Sequence, residues 1–264
     1  MKWTKEADEA VSRVPFFVRR RVRKRVEEEA RRSGAKEVSP EHVRSCQQKF
    51  LKNMESEVRG YRIETCFGPG GCKNRAVEDA DLVQRLERLV SGKDLKAFLK
   101  ERVNGPLKIH HEFCIVISDC PNACSRPQIS DVGIIGAWKP RTTDDECSEC
   151  AACLESCREE AIVLAEGSPI VDEDRCLFCG QCIRVCPTGS IREAERGYRL
   201  LLGGKLGRHP QLGKELPGIY PADKVLELID HSLHHFMKHN EKGERFGDIL
   251  NRTGFPADII HGCQ

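Results

Sequence analysis

Residues 113–124 read FCIVISDCPNAC. The six residues FCIVIS form a short, continuous apolar run rich in β-branched and aromatic side chains, which predicts a strand buried on both faces. Its end delivers Cys120-x3-Cys124 into a loop, and a second pair, Cys66-x5-Cys72, stands upstream in CFGPGGC at 66–72. DVGIIG at 131–136 reads as a further strand. Between 76 and 104 the period changes to helical. Leu82, Leu86 and Leu89 form one stripe ended by Gly92. Asp94 caps a second helix carrying Leu95, Phe98, Leu99 and Val103, which Gly105-Pro106 ends. Strands and helices mixed in this way predict an α+β core.

A chain of 264 residues can bury such a core in one or two domains with a small module besides. The formal net charge of +2 gives no case for nucleic-acid binding. The opening MKWTKEADEA has no apolar signal core, and no run of about eighteen apolar residues occurs, so a cytoplasmic protein without membrane contact is expected. Twelve of the fifteen cysteines fall in tight groups with ligand spacing, which favours metal in a reducing compartment over a disulfide scaffold. Of the other three, Cys46 and Cys114 read as core residues and Cys263 as a tail thiol.

Residues 147–186 hold CSECAACLESC and CLFCGQCIRVCP, each a Cys-x2-Cys-x2-Cys-x3-Cys run. This is the two-cluster bacterial ferredoxin pattern, in which the fourth cysteine of each run crosses to the other cluster. One [4Fe-4S] cluster is expected on Cys147, Cys150, Cys153 and Cys186, the other on Cys176, Cys179, Cys182 and Cys157. Soft thiolates on tight loops select iron–sulfur chemistry over hard cations. Arg158 stands where the first run would carry proline. Such a cassette moves electrons and leaves open what receives them.

The amino-terminal part reads as helical. Val14, Val18, Val22 and Val26 recur every four residues, with Pro15 suited to the first turn and Gly34 to the end. Ser39 then reads as an N-cap with Pro40 at the first helical position, and Val43, Cys46, Phe50 and Met54 share a face. The basic run from Arg19 to Arg25 is followed at once by Glu27, Glu28 and Glu29, the pattern of a solvated helix face. Near the other end, His231, His235 and His239 are spaced four apart. They flank an ordinary apolar stripe of Val225, Ile229, Leu233, Phe236 and Met237.

Two resemblances add to this. WTKEADEAVSRVPFFVRRRVRKRVEEEARRSG, through Trp3, Glu6-Ala7 and Val14-Pro15-Phe16, resembles a small helical domain of light-independent protochlorophyllide reductases. CFGPGGC with CIVISDCPNACSRPQISDVGIIG, GYRLLLGGKLGRHPQLG and NEKGERFGDILNRTG resembles the sirohaem-dependent nitrite and sulfite reductases over about residues 57–264. Asp119 stands where that family has glycine. The resemblance implies a third [4Fe-4S] cluster on Cys66, Cys72, Cys120 and Cys124, with Cys124 bridging to a sirohaem iron. The carboxylates of that macrocycle need cations, for which Arg62, Lys108, Lys205 and Arg208 are the candidates, and Gly203 and Gly204 would admit its close approach. Arg62 and Lys108 would also serve the bound anion.

The architecture expected is thus α+β. A helical domain occupies 1–56, a reductase half-repeat core 57–139 and 196–264, and a ferredoxin insertion 140–195. The function implied is reduction of a small anion, sulfite or nitrite-like, with electrons arriving from a ferredoxin-type donor. The alternatives are an electron-transfer subunit or a tetrapyrrole-binding protein. The family's large members enclose sirohaem between two halves and aim lysines at the anion from the strand before the CPN motif. This chain has one half and no lysine between Lys108 and Cys120, so a second copy or a partner subunit is expected.

Overall fold

The computed structural model describes residues 1–79 and 81–256, without the side chains of 52–54, so Met54 and Cys263 lie outside what is described. The chain divides into two compact units, 1–59 with 105–110, and 60–104 with 111–264. Among the described residues no helix is long and apolar enough to cross a membrane.

The first unit contains β1 (Lys2–Trp3), α1 (Lys5–Ser12), α2 (Phe16–Arg32), β2 (Glu37–Val38) and α3 (Pro40–Glu57), with β1 and β2 paired in parallel. Pro15 stands one residue outside α2, as its N-cap. Ser39 caps α3 in a capping box with His42, and Pro40 opens the helix. Ala7, Val26, Ala30 and Val38 form a small core, with Trp3, Val22, Val43 and Cys46 half-buried against it. Part of the charge run is consumed within this unit. Arg23 pairs with Asp8 and lies 4.2 Å over the Trp3 ring, whose Nε1 donates to Glu27 at 2.9 Å.

The second unit is built on a sheet of order β3-β4-β5-β8-β9. Its strands are β3 (Tyr61–Thr65), β4 (Phe113–Ser118), β5 (Val132–Thr142), β8 (Ile191–Leu202) and β9 (Lys214–Glu215). The first three run parallel; β5–β8 and β8–β9 are antiparallel. Every residue of β4 is buried, as its apolar run predicts. The connection from β3 to β4 carries α4 (Leu82–Ser91) and α5 (Leu95–Arg102). In α4 the buried stripe is Leu82, Leu86 and Val90; Leu89 is only half-buried, because a spacing of four follows the helix face more closely here.

Between β5 and β8 come α6 (Ala152–Ser156), a hairpin of β6 (Ile162–Ala165) and β7 (Ser168–Val171), and α7 (Gln181–Val185). The chain leaves and re-enters the sheet at one place, since Thr142 at the end of β5 pairs with Ile191 at the start of β8. The last helices among the described residues are α8 (Ala222–His239) and α9 (Phe246–Thr253). Phe236 of α8 and Phe246 of α9 bring their rings to 5.0 and 5.4 Å from that of Phe113 on β4. Beneath them, buried Asp131 accepts two hydrogen bonds from Arg245 and one from the Cys114 backbone.

Candidate metal centre

The parallel pairing of β3 with β4 sets Thr65 beside Ile117, so Cys66 and Cys120 emerge at the carboxyl ends of neighbouring strands. Open α/β sheets gather ligands at such strand ends. A bond from the Cys66 backbone N–H to the Ile117 carbonyl, 3.0 Å, holds the two exits together. CFGPGGC curls through a tight turn at Gly68–Gly70, with Gly71 at φ 96°, and CPNAC through a turn with Ala123 at φ 50°. Gly68 is required for packing, since a Cβ there would lie 2.0 Å from the Asp119 carboxylate. Backbone N–H groups of Gly68 and Asp119 both donate to Cys66 Sγ at 3.3 Å. Burial pushes the Cys120 thiol up, and the charges of Cys124, Cys66 and Cys72 push it further, so all four sulfurs share one neighbourhood. Cys120 is buried and Cys66 half-buried; Cys72 and Cys124 are exposed.

The insertion gathers the other eight cysteines in the crossed arrangement. Cys147, Cys150, Cys153 and Cys186 line one small cavity. Cys157, Cys176, Cys179 and Cys182 line another of about 70 Å³. Burial, then the neighbouring thiols Cys179 and Cys176, drives Cys182 up to about 12. Burial also raises Cys186. Hydrogen bonds from Ile191, Thr188, Gly189 and Ser190 outweigh it and bring that thiol down to about 7. Burial and then neighbouring sulfurs thus disfavour ionisation of Cys120 and Cys182. An iron–sulfur cube takes the same sulfurs as thiolates, and the N–H donors aimed at them stabilise that form. The donor set therefore fits the clusters. Among the described residues no three His, Cys, Asp or Glu groups converge on a single ion position.

The cation candidates are placed differently. Arg62 on β3 is paired with Glu64 at 2.9 Å and donates to Cys114 Sγ at 3.4 Å. Lys205 is buried against Asp248. Lys108 belongs to the first unit, and Arg208 is exposed. Gly203 and Gly204 are needed by the chain's own packing. A Cβ on Gly203 would meet Leu250 at 2.9 Å, and one on Gly204 the Gln128 carbonyl at 2.3 Å. Arg62 and Lys205 are thus engaged by acidic groups of the chain itself, and Gly203 and Gly204 by its own packing. Of the histidines on α8, His235 bonds Thr253 at 2.8 Å and its ring lies 4.4 Å from that of His239, while of the apolar stripe beside them Val225, Ile229, Leu233 and Phe236 are buried and Met237 is half-buried.

Sequence reasoning passed over Asp119 and its neighbours. Asp119 is buried beside Cys120, where burial raises its carboxyl group although Arg75 pairs with it at 2.9 Å. Tyr198, whose hydroxyl is pushed up by burial and by Asp79 and Asp119, stands close by. The departure from glycine at 119 was the one sequence signal for this group.

Comparison with known proteins agrees with this geometry. The family model described as the nitrite and sulphite reductase 4Fe-4S domain matches residues 59–257. The chain belongs to this family. A second model, described as the proto-chlorophyllide reductase 57 kD subunit, matches residues 3–46. A coenzyme F420-dependent sulfite reductase of Methanocaldococcus jannaschii is 34% identical over 192 residues, 72% of this chain and 28% of that protein. A subunit of the anaerobic sulfite reductase of Salmonella typhimurium is 29% identical over 251 residues, 85% of this chain and 69% of that one. The chain thus spans under a third of the first relative's length. Among solved structures, dissimilatory sulfite reductase I (DsrI) covers 82% of this chain, which in turn covers 57% of it, at a TM-score of 0.52 and 19% identity, and so shares the fold.

Proposed function

We propose that this family member is the three-cluster, electron-conducting component of an oxidoreductase that reduces a small anion, sulfite or nitrite-like. Cys147, Cys150, Cys153 and Cys186 would hold one [4Fe-4S] cluster, Cys157, Cys176, Cys179 and Cys182 a second, and Cys66, Cys72, Cys120 and Cys124 a third, and in that order these would supply a route for electrons from a ferredoxin-type donor. The observation that carries this is the cavity of about 70 Å³. Its lining includes Cys157, Cys176, Cys179 and Cys182 together with Cys120, Pro121 and Asn122. Clusters on the two cysteine sets would therefore be neighbours.

Sirohaem on the exposed Cys124 is what the family resemblance implies. Arg62 and Lys205 are already engaged, which favours cations supplied by another chain, a second copy or a partner subunit; the electron route proposed here ends at the cluster. The same engagement favours a second reading, an electron-transfer subunit without tetrapyrrole.

Iron analysis of anaerobically purified protein should give about twelve cluster irons per chain. A reproducible value near eight, with the Cys66/Cys72/Cys120/Cys124 nest empty, would sink the proposal. The visible spectrum separates the two readings: a Soret band with a red band supports sirohaem, and broad brown absorption alone supports the electron-transfer subunit.

A further inference from the structure

Trp138 sits on β5 where the sheet meets the insertion. Its backbone N–H bonds the Phe178 carbonyl at 2.7 Å, and it forms a parallel bridge with the cluster ligand Cys179. Its ring lies so close to Gly180 that a Cβ there would come within 2.4 Å of it. Arg184, on α7 of the insertion, is 5.1 Å from the ring centroid, and Arg196, on β8 of the sheet, is 4.3 Å away. Both guanidinium groups reach on to the segment that follows Cys72. Arg184 donates to the Arg75 carbonyl, and Arg196 to the Ala76 carbonyl at 2.6 Å. Arg75 in turn holds Asp119, next to Cys120.

We infer that Trp138, with Arg184 and Arg196, is a positioning residue that fixes the distance between the Cys157/Cys176/Cys179/Cys182 nest and the Cys66/Cys72/Cys120/Cys124 nest. The inference rests on the electron route proposed above. The indole Nε1 is buried and has no hydrogen-bond acceptor among the described residues. Such an orphan donor is costly, so what the site takes from tryptophan is its ring, the strongest aromatic partner for a cation. The ring contacts one cation from each side of the seam. Electron transfer between clusters falls off steeply with separation, so a seam that opens by a few ångströms would slow it without touching any ligand.

The test uses the full chain with its clusters loaded anaerobically, as wild type, Trp138→Leu, Trp138→Phe and Arg184→Met. The first readout is the magnetic interaction between reduced clusters in EPR spectra, which weakens with the cube of their separation. The second is the rate at which the core cluster is reduced after flash reduction of the insertion. Trp138→Leu, with iron content unchanged, should lose the interaction and slow the step, because without the cation–π contacts to Arg184 and Arg196 the seam is no longer held at one separation. Trp138→Phe keeps a ring and gives up only a donor that has no acceptor, so it should stay near wild type. Wild-type interaction and rate in Trp138→Leu would overturn the inference, as would a phenylalanine variant no better than leucine. If the leucine variant loses iron, Arg184→Met decides, since it leaves Trp138 in place. It should weaken the interaction, and an unchanged spectrum would overturn the inference. If the insertion cannot reduce the core cluster in the wild type, the electron route itself fails, which is a separate result.

Discussion

The two cysteine-bearing regions use the same ligands on opposite structural terms. In the insertion one hydrophobic cluster of buried residues is Cys153, Ile162, Cys182 and Ile191, so two of its four members are candidate ligands. The nest at the ends of β3 and β4 hangs from a sheet whose strand β4 is wholly buried and backed by Phe236 and Phe246. Clusters bound as proposed would complete the core of the first region, whereas the second has a core of its own. Metal loading therefore means folding for one region and occupancy for the other.

The strongest way to break this contrast is to remove the iron. Anaerobic chelation should abolish amide protection in α6, β6, β7 and α7, a loss of at least about 3 kcal/mol of local stability, while β4 and β5 stay protected. Hydrogen exchange followed by mass spectrometry reads both at once, and equal loss in both regions would refute the contrast. Next in size, Phe113→Ala removes a fully buried ring between two others and should cost the sheet about 3–5 kcal/mol in denaturant unfolding. The EPR signals of the insertion should survive at low temperature.

Arg245→Met should cost about 3 kcal/mol at neutral pH, because it strands the buried Asp131 carboxylate. Burial holds that carboxyl above its ordinary range, against the pull of Arg245, and the variant should raise it further. A raised acid favours the folded state below its unfolded pKa, and that contribution is lost as pH rises through the folded value. The deficit relative to wild type should thus shrink as pH falls from 7 toward 5, measured by urea unfolding at each pH; a deficit that grows on acidification would contradict the assignment. Smallest of all, Arg85→Ala breaks an ion pair with exposed Asp223 and should change stability by less than about 1 kcal/mol.

The legibility of each region in the sequence follows the same divide. The insertion's ligand runs are local, so their spacing alone pointed to the crossed grouping that the two small cavities display. FCIVIS and the Ser39-Pro40 helix start were readable for the same reason, since each depends on neighbours in the chain. Contacts across long sequence distances were not readable. Lys205 and Arg62 showed their charge but not their distant partners, Asp248 for one and Cys114 for the other. Gly203 and Gly204 suggested close approach, yet the approaching groups are Leu250 and the Gln128 carbonyl. Trp138 carried no signal, because Arg184 and Arg196 reach it only after the insertion has folded back on the sheet.

The pairing of Thr142 with Ile191 has a consequence for the chain as a polymer. Ladder partners stand about 5 Å apart, so the two ends of the insertion are as close as the ends of a hairpin turn. The entropy of closing a loop grows only logarithmically with its length, which makes a long connection little harder to close than a short one. A two-residue Asn-Gly turn could therefore replace everything between these partners and leave the β5–β8 register intact. To the sheet, the entire insertion is one turn.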